Sequence, residues 1–201
     1  MPASLRTTTN RLFPALLVAM ALAARLIPGP RTIDDAFITY RYARNLLAGN
    51  GLAFNPGERV LGTTTPLHAF LMTGLGALSG GAQAPFPTLA LVVNALADAG
   101  TCLLLWHIGR RIRSPAATLG AALVWAIAPF SVTFAIGGLE TSVTVFLLTG
   151  MMAAHLSKRR SMAALGGVLA LLARPDAILL VGPVLLDRLW QATTSTAATE
   201  C

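Results

Sequence analysis

Charge is what this 201-residue chain has least of. Only 11% of its residues are Asp, Glu, Lys or Arg, where a soluble domain carries about 25%. With 55% hydrophobic residues and a mean hydropathy of +0.68, the deficit excludes an ordinary water-soluble domain and reads as an integral membrane protein. Cysteine is nearly absent: Cys102 lies in an apolar run and Cys201 is the last residue, so neither a disulfide framework nor a zinc site is implied. Aromatics are few among the basic residues, and the net charge of +7 is scattered in short clusters between apolar runs. Membrane topology explains that scatter better than binding to a phosphate backbone, so no nucleic-acid partner is expected. There is no internal repeat, and the one compositionally biased stretch is a small polar tail within 191–201, expected to be disordered.

What the chain has in abundance is apolar runs. Residues 12–27, apolar apart from Arg25, are long enough with their flanks to cross a hydrocarbon core of about 30 Å. Arg6 and Arg11 before this run would also suit a cleaved signal peptide, but the apolar character continues through Arg25 to Pro28, as in an anchor. Further spans are expected at 86–108, 116–136, 139–156, 162–173 and 177–189, the last two short and meeting at Arg174-Pro175-Asp176. Residues 66–78 begin with Thr65 as N-cap and Pro66 at the first helical position, but their length is that of a re-entrant or interfacial segment.

The positive-inside rule decides whether 66–78 crosses. If it does not, Arg6, Arg11, Arg110, Arg111, Arg113, Lys158, Arg159, Arg160 and Arg188, nine of the fifteen basic residues, share the cytoplasmic side. Arg31, Arg41, Arg44, Arg59, Arg174 and the span-end Arg25 are then outside. If it did cross, the clusters at 110–113 and 158–160 would face out. The expected fold is therefore an all-α polytopic transmembrane bundle of about six spans over 1–190, with the N-terminus cytoplasmic. An external loop, 31–85, lies between spans 1 and 2 and carries a juxtamembrane helix.

That topology places Asp34, Asp35, Glu58, Glu140 and Asp176 on the outer side and leaves Asp98 within a span, where pairing with Asn94 or another helix is expected. Asp34 and Asp35 precede a helix expected at 36–48, stopped by Gly49-Asn50-Gly51. Phe37, Ile38, Tyr40, Tyr42, Leu46 and Leu47 form its apolar side, and Arg41, Arg44 and Asn45 face elsewhere, as on a helix at a membrane interface. Two readings of the Asp pair stand: caps of a helix in a solvated loop, or part of a site. Glu140 could cap a span and Arg174 could snorkel to headgroups. His68, alone on an apolar segment, suits packing, and Trp106, Trp125 and Trp190 suit an interfacial belt. For a site, the chemistry is that of a carboxylate taking a proton from a hydroxyl acceptor while arginine holds a phosphate leaving group.

The run DDAFITYRYARNLLAGNGLAFNPGERVLGTTTPL, with GGLET at 137–141 and LARPD at 172–176, resembles the GT-C superfamily of polytopic glycosyltransferases, the loop corresponding to their first external loop. The resemblance is nearest to the bacterial branch that includes mycobacterial cell-wall arabinofuranosyltransferases, and extends more distantly to lipid A aminoarabinose transferases and protein O-mannosyltransferases. It implies an inverting transferase of the plasma membrane. Such an enzyme moves a sugar from a polyprenyl-phosphate donor to an extracytoplasmic hydroxyl acceptor on a glycan, lipid or protein. On that resemblance the essential loop acid is Asp34 or Asp35, with the gap-free match favouring Asp35. Glu140 corresponds to a second acid at the acceptor or at a divalent metal ion, and Arg174 to a basic residue at the donor phosphate. Arg59 joins the phosphate site, and His68, Arg41 and Asp176 are weaker candidates for the same pocket. GT-C enzymes usually carry more spans, so the alternatives are a non-catalytic polyprenyl-phosphate or lipid-binding or transport protein, or an inactive truncated fragment.

Overall fold

Proline and glycine punctuate the chain where the helices begin and end. The computed structural model describes residues 3–58 and 62–197, with side chains described for 12–58 and 62–191. Among these residues it is all-helical, with nine α-helices, two single 3-10 turns and no strand. They are α1 (Ala3–Leu26), α2 (Asp34–Leu47), α3 (Pro66–Leu78), α4 (Phe86–Arg111), α5 (Pro115–Ile127), α6 (Pro129–Ile136), α7 (Thr141–Leu156), α8 (Arg160–Ala173) and α9 (Ile178–Ala197). Pro66, Pro115 and Pro129 open α3, α5 and α6, where a missing N–H costs no hydrogen bond. Gly49, at φ +81°, follows the Ala48 cap of α2 in the left-handed conformation that ends helices.

α4 is the hub and packs against α1, α5 and α7, while α8 packs on α7 and α2 on α3. Its 26 residues reach about 39 Å at 1.5 Å per residue. It is the one described helix that is both long and apolar enough to cross a membrane by itself. α5 and α6 qualify only as a pair, bent by 47° at Ala128, and Leu12–Leu26, α3, α7 and α8 are apolar but shorter. The expected single run at 116–136 is thus broken, because Pro129 cannot donate to the carbonyl four residues back. α9 continues to Ala197, and positions 198–201 of the expected tail lie outside the described residues.

Side-chain size is distributed the reverse of a soluble core. Alanine dominates the buried apolar positions, among them Ala21, Ala90, Ala122, Ala126, Ala135, Ala170 and Ala173, while Leu16, Leu96, Val124, Leu165, Leu179 and Leu186 are exposed. Small residues let helices approach closely. At Gly109, for instance, a Cβ would collide with the Thr118 hydroxyl of α5.

One charged pair is buried in this alanine-lined interior. Arg25 of α1 and Asp98 of α4 are both fully buried, with Nε donating to Oδ2 at 2.6 Å. The guanidinium also donates to the carbonyls of Ala21, Trp125 and Ala126 and to Ser131 Oγ. The Trp125 carbonyl is the one stranded by Pro129, and both Arg25 and the Ser131 hydroxyl donate to it. Asp98 in turn accepts from Trp125 Nε1 and Ser142 Oγ, each at 3.0 Å. Of the two partners expected for Asp98, Asn94 or another helix, the structure gives the second, on α1. The expectation for Arg25 changes: it is an interior clasp rather than an outward span-end charge. Trp125 likewise points its N–H inward instead of serving in a belt.

Candidate functional site

Four chain segments converge on one open cavity of about 490 Å³ at one end of the bundle. The first is the start of α2. Residues 31–33 run extended against the end of α6, with Arg31 N donating to Ile136 O at 2.8 Å and Ile33 N to Gly137 O at 3.0 Å. This fixes where α2 starts. Ile33 holds the N-cap position, and Asp34 and Asp35 are the first two helical residues rather than caps, where carboxylates favour the positive end of the helix dipole.

The second is the Gly137-Gly138-Leu139-Glu140 turn between α6 and α7. Asn94 of α4 clamps it from within, donating to the carbonyls of Ala135 at 3.1 Å and Leu139 at 2.9 Å. Gly138 sits at φ +82°, and a Cβ there would strike the Tyr40 hydroxyl, so this position needs glycine on both counts. Glu140 follows at the N-cap position of α7 without capping it. Instead its carboxylate accepts from Arg174 Nη1 at 3.1 Å.

The third segment is the α8–α9 turn. Arg174 grips Asp176 bidentately, Nε to Oδ1 and Nη2 to Oδ2 both at 3.0 Å, so it is held within the protein rather than snorkelling away. Hydrogen bonds from Arg174 hold the Asp176 carboxyl below the usual carboxylate range, and those bonds in turn raise the guanidinium. The side chains are 39% exposed for Arg174, 11% for Glu140 and 59% for Asp176, so Glu140 is sheltered while Asp176 faces solvent.

The fourth segment is 62–65. Gly62 N donates to Tyr42 Oη at 2.8 Å, and Thr65 N to Thr63 Oγ1 at 3.2 Å. Thr63, Thr64 and Thr65 line the cavity with Thr39. These threonines, none of them an expected site residue, form a neutral polar wall. Its signal in the sequence is the TTTP run, which closes the loop motif and starts α3.

The cavity brings together Asp35, Glu140, Arg174 and Asp176. Asp34 is exposed and does not line it. Arg41 turns away, donating to Phe54 O and Asn55 Oδ1 at 2.8 Å each and lying over the Phe54 ring, so it braces the 48–58 loop. Arg44 lies over the Phe86 ring. Arg59 lies outside the described residues.

His68 sits behind the cavity wall, 1% exposed. Burial pushes its pKa down to about 4, with the Gly138 backbone offsetting part of the effect. Neither ring nitrogen reaches full hydrogen-bond geometry, nor does the Tyr40 hydroxyl, and burial pushes that phenol up to about 12. Among the described residues no three His, Cys, Asp or Glu side chains gather as metal ligands. With Glu140 engaged by Arg174, the residues present do not make a metal centre.

The chain is similar to a terminal β-(1→2)-arabinofuranosyltransferase of Mycobacterium tuberculosis (strain ATCC 25618 / H37Rv), 36% identical over 121 residues. That match covers 57% of this chain and 19% of the relative, so the chain spans about a fifth of that protein's length. No protein-family profile matches the chain, and no solved structure does. The similarity supports glycosyl transfer in general terms.

Proposed function

We propose that the chain is the catalytic-loop module of a membrane glycosyltransferase that takes its sugar from a polyprenyl-phosphate donor. The observation that carries this reading is the cavity in which Asp35, Glu140 and Arg174, drawn from three separate segments, face one volume. In it the Asp35 carboxylate accepts the proton of an acceptor hydroxyl while that oxygen attacks the anomeric carbon. The bond from that carbon to the phosphate oxygen breaks on the opposite face, and the phosphate leaves with the electron pair. Attack opposite the leaving group inverts the centre. Arg174 meets the departing phosphate. Its grip on Asp176 is exposed, and such pairs are worth about 0–1 kcal/mol, so a phosphate can replace that carboxylate at little cost. Glu140 keeps Arg174 in place from the sheltered side and lies where the acceptor enters.

The reading includes a six-span bundle with the N-terminus cytoplasmic and the cavity extracytoplasmic. It is supported by the alanine interior beneath an exposed leucine surface. The separation of charge also fits, with the carboxylate-rich cavity at one end of the bundle and the clusters at 110–113 and 158–160 at the other. A donor with an apolar tail and an anionic head suits a site at such a boundary. Arg174 already has Glu140 and Asp176 as partners; a protein that only bound a lipid phosphate would need no further carboxylate, whereas a transferase uses Asp35 on the same cavity as its base. The balance favours a base and an acceptor site.

Transfer of labelled sugar from polyprenyl-phosphate donors, in membranes containing this chain, tests the proposal. Asp35→Asn is expected to lower the rate about 10²–10⁴-fold with donor binding kept, and Asp34→Asn to leave it within a fewfold. Equal loss from both variants, or none from Asp35→Asn, would remove Asp35 as the base. Absence of transfer from folded, membrane-inserted chain, with donor still bound, would favour a lipid-phosphate binder.

A further inference from the structure

The end of the bundle away from the Asp35 cavity carries Arg110, Arg111 and Arg113 at the close of α4 and Lys158, Arg159 and Arg160 between α7 and α8, all exposed. None of the six makes an ion pair among the described residues. The carboxylate described at that end, Asp187, is already bonded to His155 and Gln191. From this rim a second cavity of about 460 Å³ runs between α4, α7 and α8. Along α7 its lining extends from Phe146 to Ser157, about 16 Å at 1.5 Å per residue.

The two ends of this groove differ in chemistry. Arg111, Ser157 and Arg159 stand at the rim, whereas Leu104, Phe146 and Leu169 line the part toward the middle of the bundle. Gly150 keeps the floor low, since a Cβ there would meet only Leu104 Cδ1, at 3.7 Å. We propose that this groove holds an anionic membrane phospholipid, its phosphate between Arg111 and Arg159 and an acyl chain laid along α7. Charge complementarity selects this occupant. An apolar groove alone would take any greasy segment, but one that ends on unpaired guanidiniums fits an amphiphile with an anionic head, and basic pockets between membrane helices bind such lipids. The proposed sugar donor is a different ligand, since its phosphate belongs at the opposite end.

The inference rests on the membrane-spanning reading, which extraction of membranes with alkaline carbonate tests separately: release of the chain into the supernatant would overturn that reading first. For the groove, the detergent-purified 201-residue chain is titrated with dioleoyl phosphatidylglycerol or dioleoyl phosphatidylcholine, and lipid adducts are counted by native mass spectrometry. The phosphatidylglycerol adduct is expected to be favoured about tenfold or more, because both headgroups carry the phosphate but the trimethylammonium of phosphatidylcholine cancels its charge beside the two guanidiniums. The preference should vanish in Arg111→Ala/Arg159→Ala and persist in Arg110→Ala/Arg113→Ala, which removes equal charge outside the groove. Arg111→Lys/Arg159→Lys should retain most of it, and Gly150→Leu, which fills the floor, should reduce adducts of both lipids. Equal adducts with the two lipids, equal loss in both alanine pairs, or a dimer that excludes lipid would overturn the assignment.

Discussion

The molecule sets an arginine against carboxylate twice, to opposite ends. Arg25 is fully buried, meets one carboxylate, and has its remaining donors aimed at three carbonyls and a hydroxyl. Arg174 is more than a third exposed, meets two carboxylates, and borders an open cavity. Buried charge is costly unless it is paired and hydrogen-bonded, and the Arg25 cluster is closed to solvent with its guanidinium donors all engaged, so it has nothing left to offer a ligand. It fastens α1, α4, α5, α6 and α7 at the point where Pro129 breaks the α5–α6 rod. The Arg174 cluster, held by two turns, has one partner that solvent can replace. What separates a structural ion pair from a candidate site here is completeness of satisfaction and access, not residue type.

The sharpest way to break the comparison is to remove one partner of each pair. Arg25→Ala strands Asp98 in the interior and is expected to cost about 3–5 kcal/mol of stability, as does Asp98→Ala in reverse. Arg25→Leu/Asp98→Leu should recover a large part, because two apolar residues leave no unpaired charge. Thermal or denaturant unfolding in detergent, followed by the helical circular dichroism signal, reads all three. If the single variants unfold like the parent, the pair is not the clasp described. If the double variant is as unstable as either single, the stabilisation comes from the backbone carbonyls Arg25 satisfies rather than from the charge pair.

A second contrast is between the cavity and the wall behind it. His68 is neutral at physiological pH, its pKa lowered by burial from 6.5 to about 4. The unfolded chain therefore binds this proton more readily, and stability falls with pH from about 6.5 down to about 4, below which the loss is complete. The shift corresponds to about 3 kcal/mol, an upper bound for one group in a bundle with many others. His68→Phe keeps the volume and removes the titration. It should flatten the melting temperature between pH 6.5 and pH 4.5, and an unchanged pH profile in this variant would mean that His68 is hydrated in solution.

Most of the helices were readable in the sequence because proline and glycine mark their ends and apolar length marks their middles. The Pro66–Leu78 boundaries are those expected from Thr65-Pro66. The starting point of α2 was missed by two residues, since backbone pairing of 31–33 with the end of α6, a contact between distant segments, sets it. Glu140, Arg174 and Asp176 were named from short motifs, but nothing local says that Arg174 reaches across 34 positions to Glu140. For the same reason the sequence leaves the partner of Asp98 open between Asn94, one helical turn away, and another helix, and the structure supplies it from 73 positions off in α1. The choice between Asp34 and Asp35 is a matter of which side of α2 faces the cavity, and periodicity cannot set that phase for adjacent residues at a helix start.

The smallest expected effect is also the most informative about how a phosphate enters. Asp176 is held by Arg174 below the ordinary carboxylate range, so the pair persists through neutral pH and is lost only as pH falls through that lowered value. Exposure limits what it contributes to stability, and Asp176→Asn should change unfolding by no more than about 1 kcal/mol. Its effect on donor binding is the telling one. If phosphate displaces Asp176 from the guanidinium, removing the competing carboxylate should tighten donor binding by a fewfold at low salt, and less as salt screens the competition. Arg174→Lys should lose the bidentate geometry and weaken binding even though the charge remains. Weaker donor binding in Asp176→Asn would show instead that Asp176 orients Arg174 for the phosphate, and the exposed pair would then belong to the site itself, as closely built as the buried one.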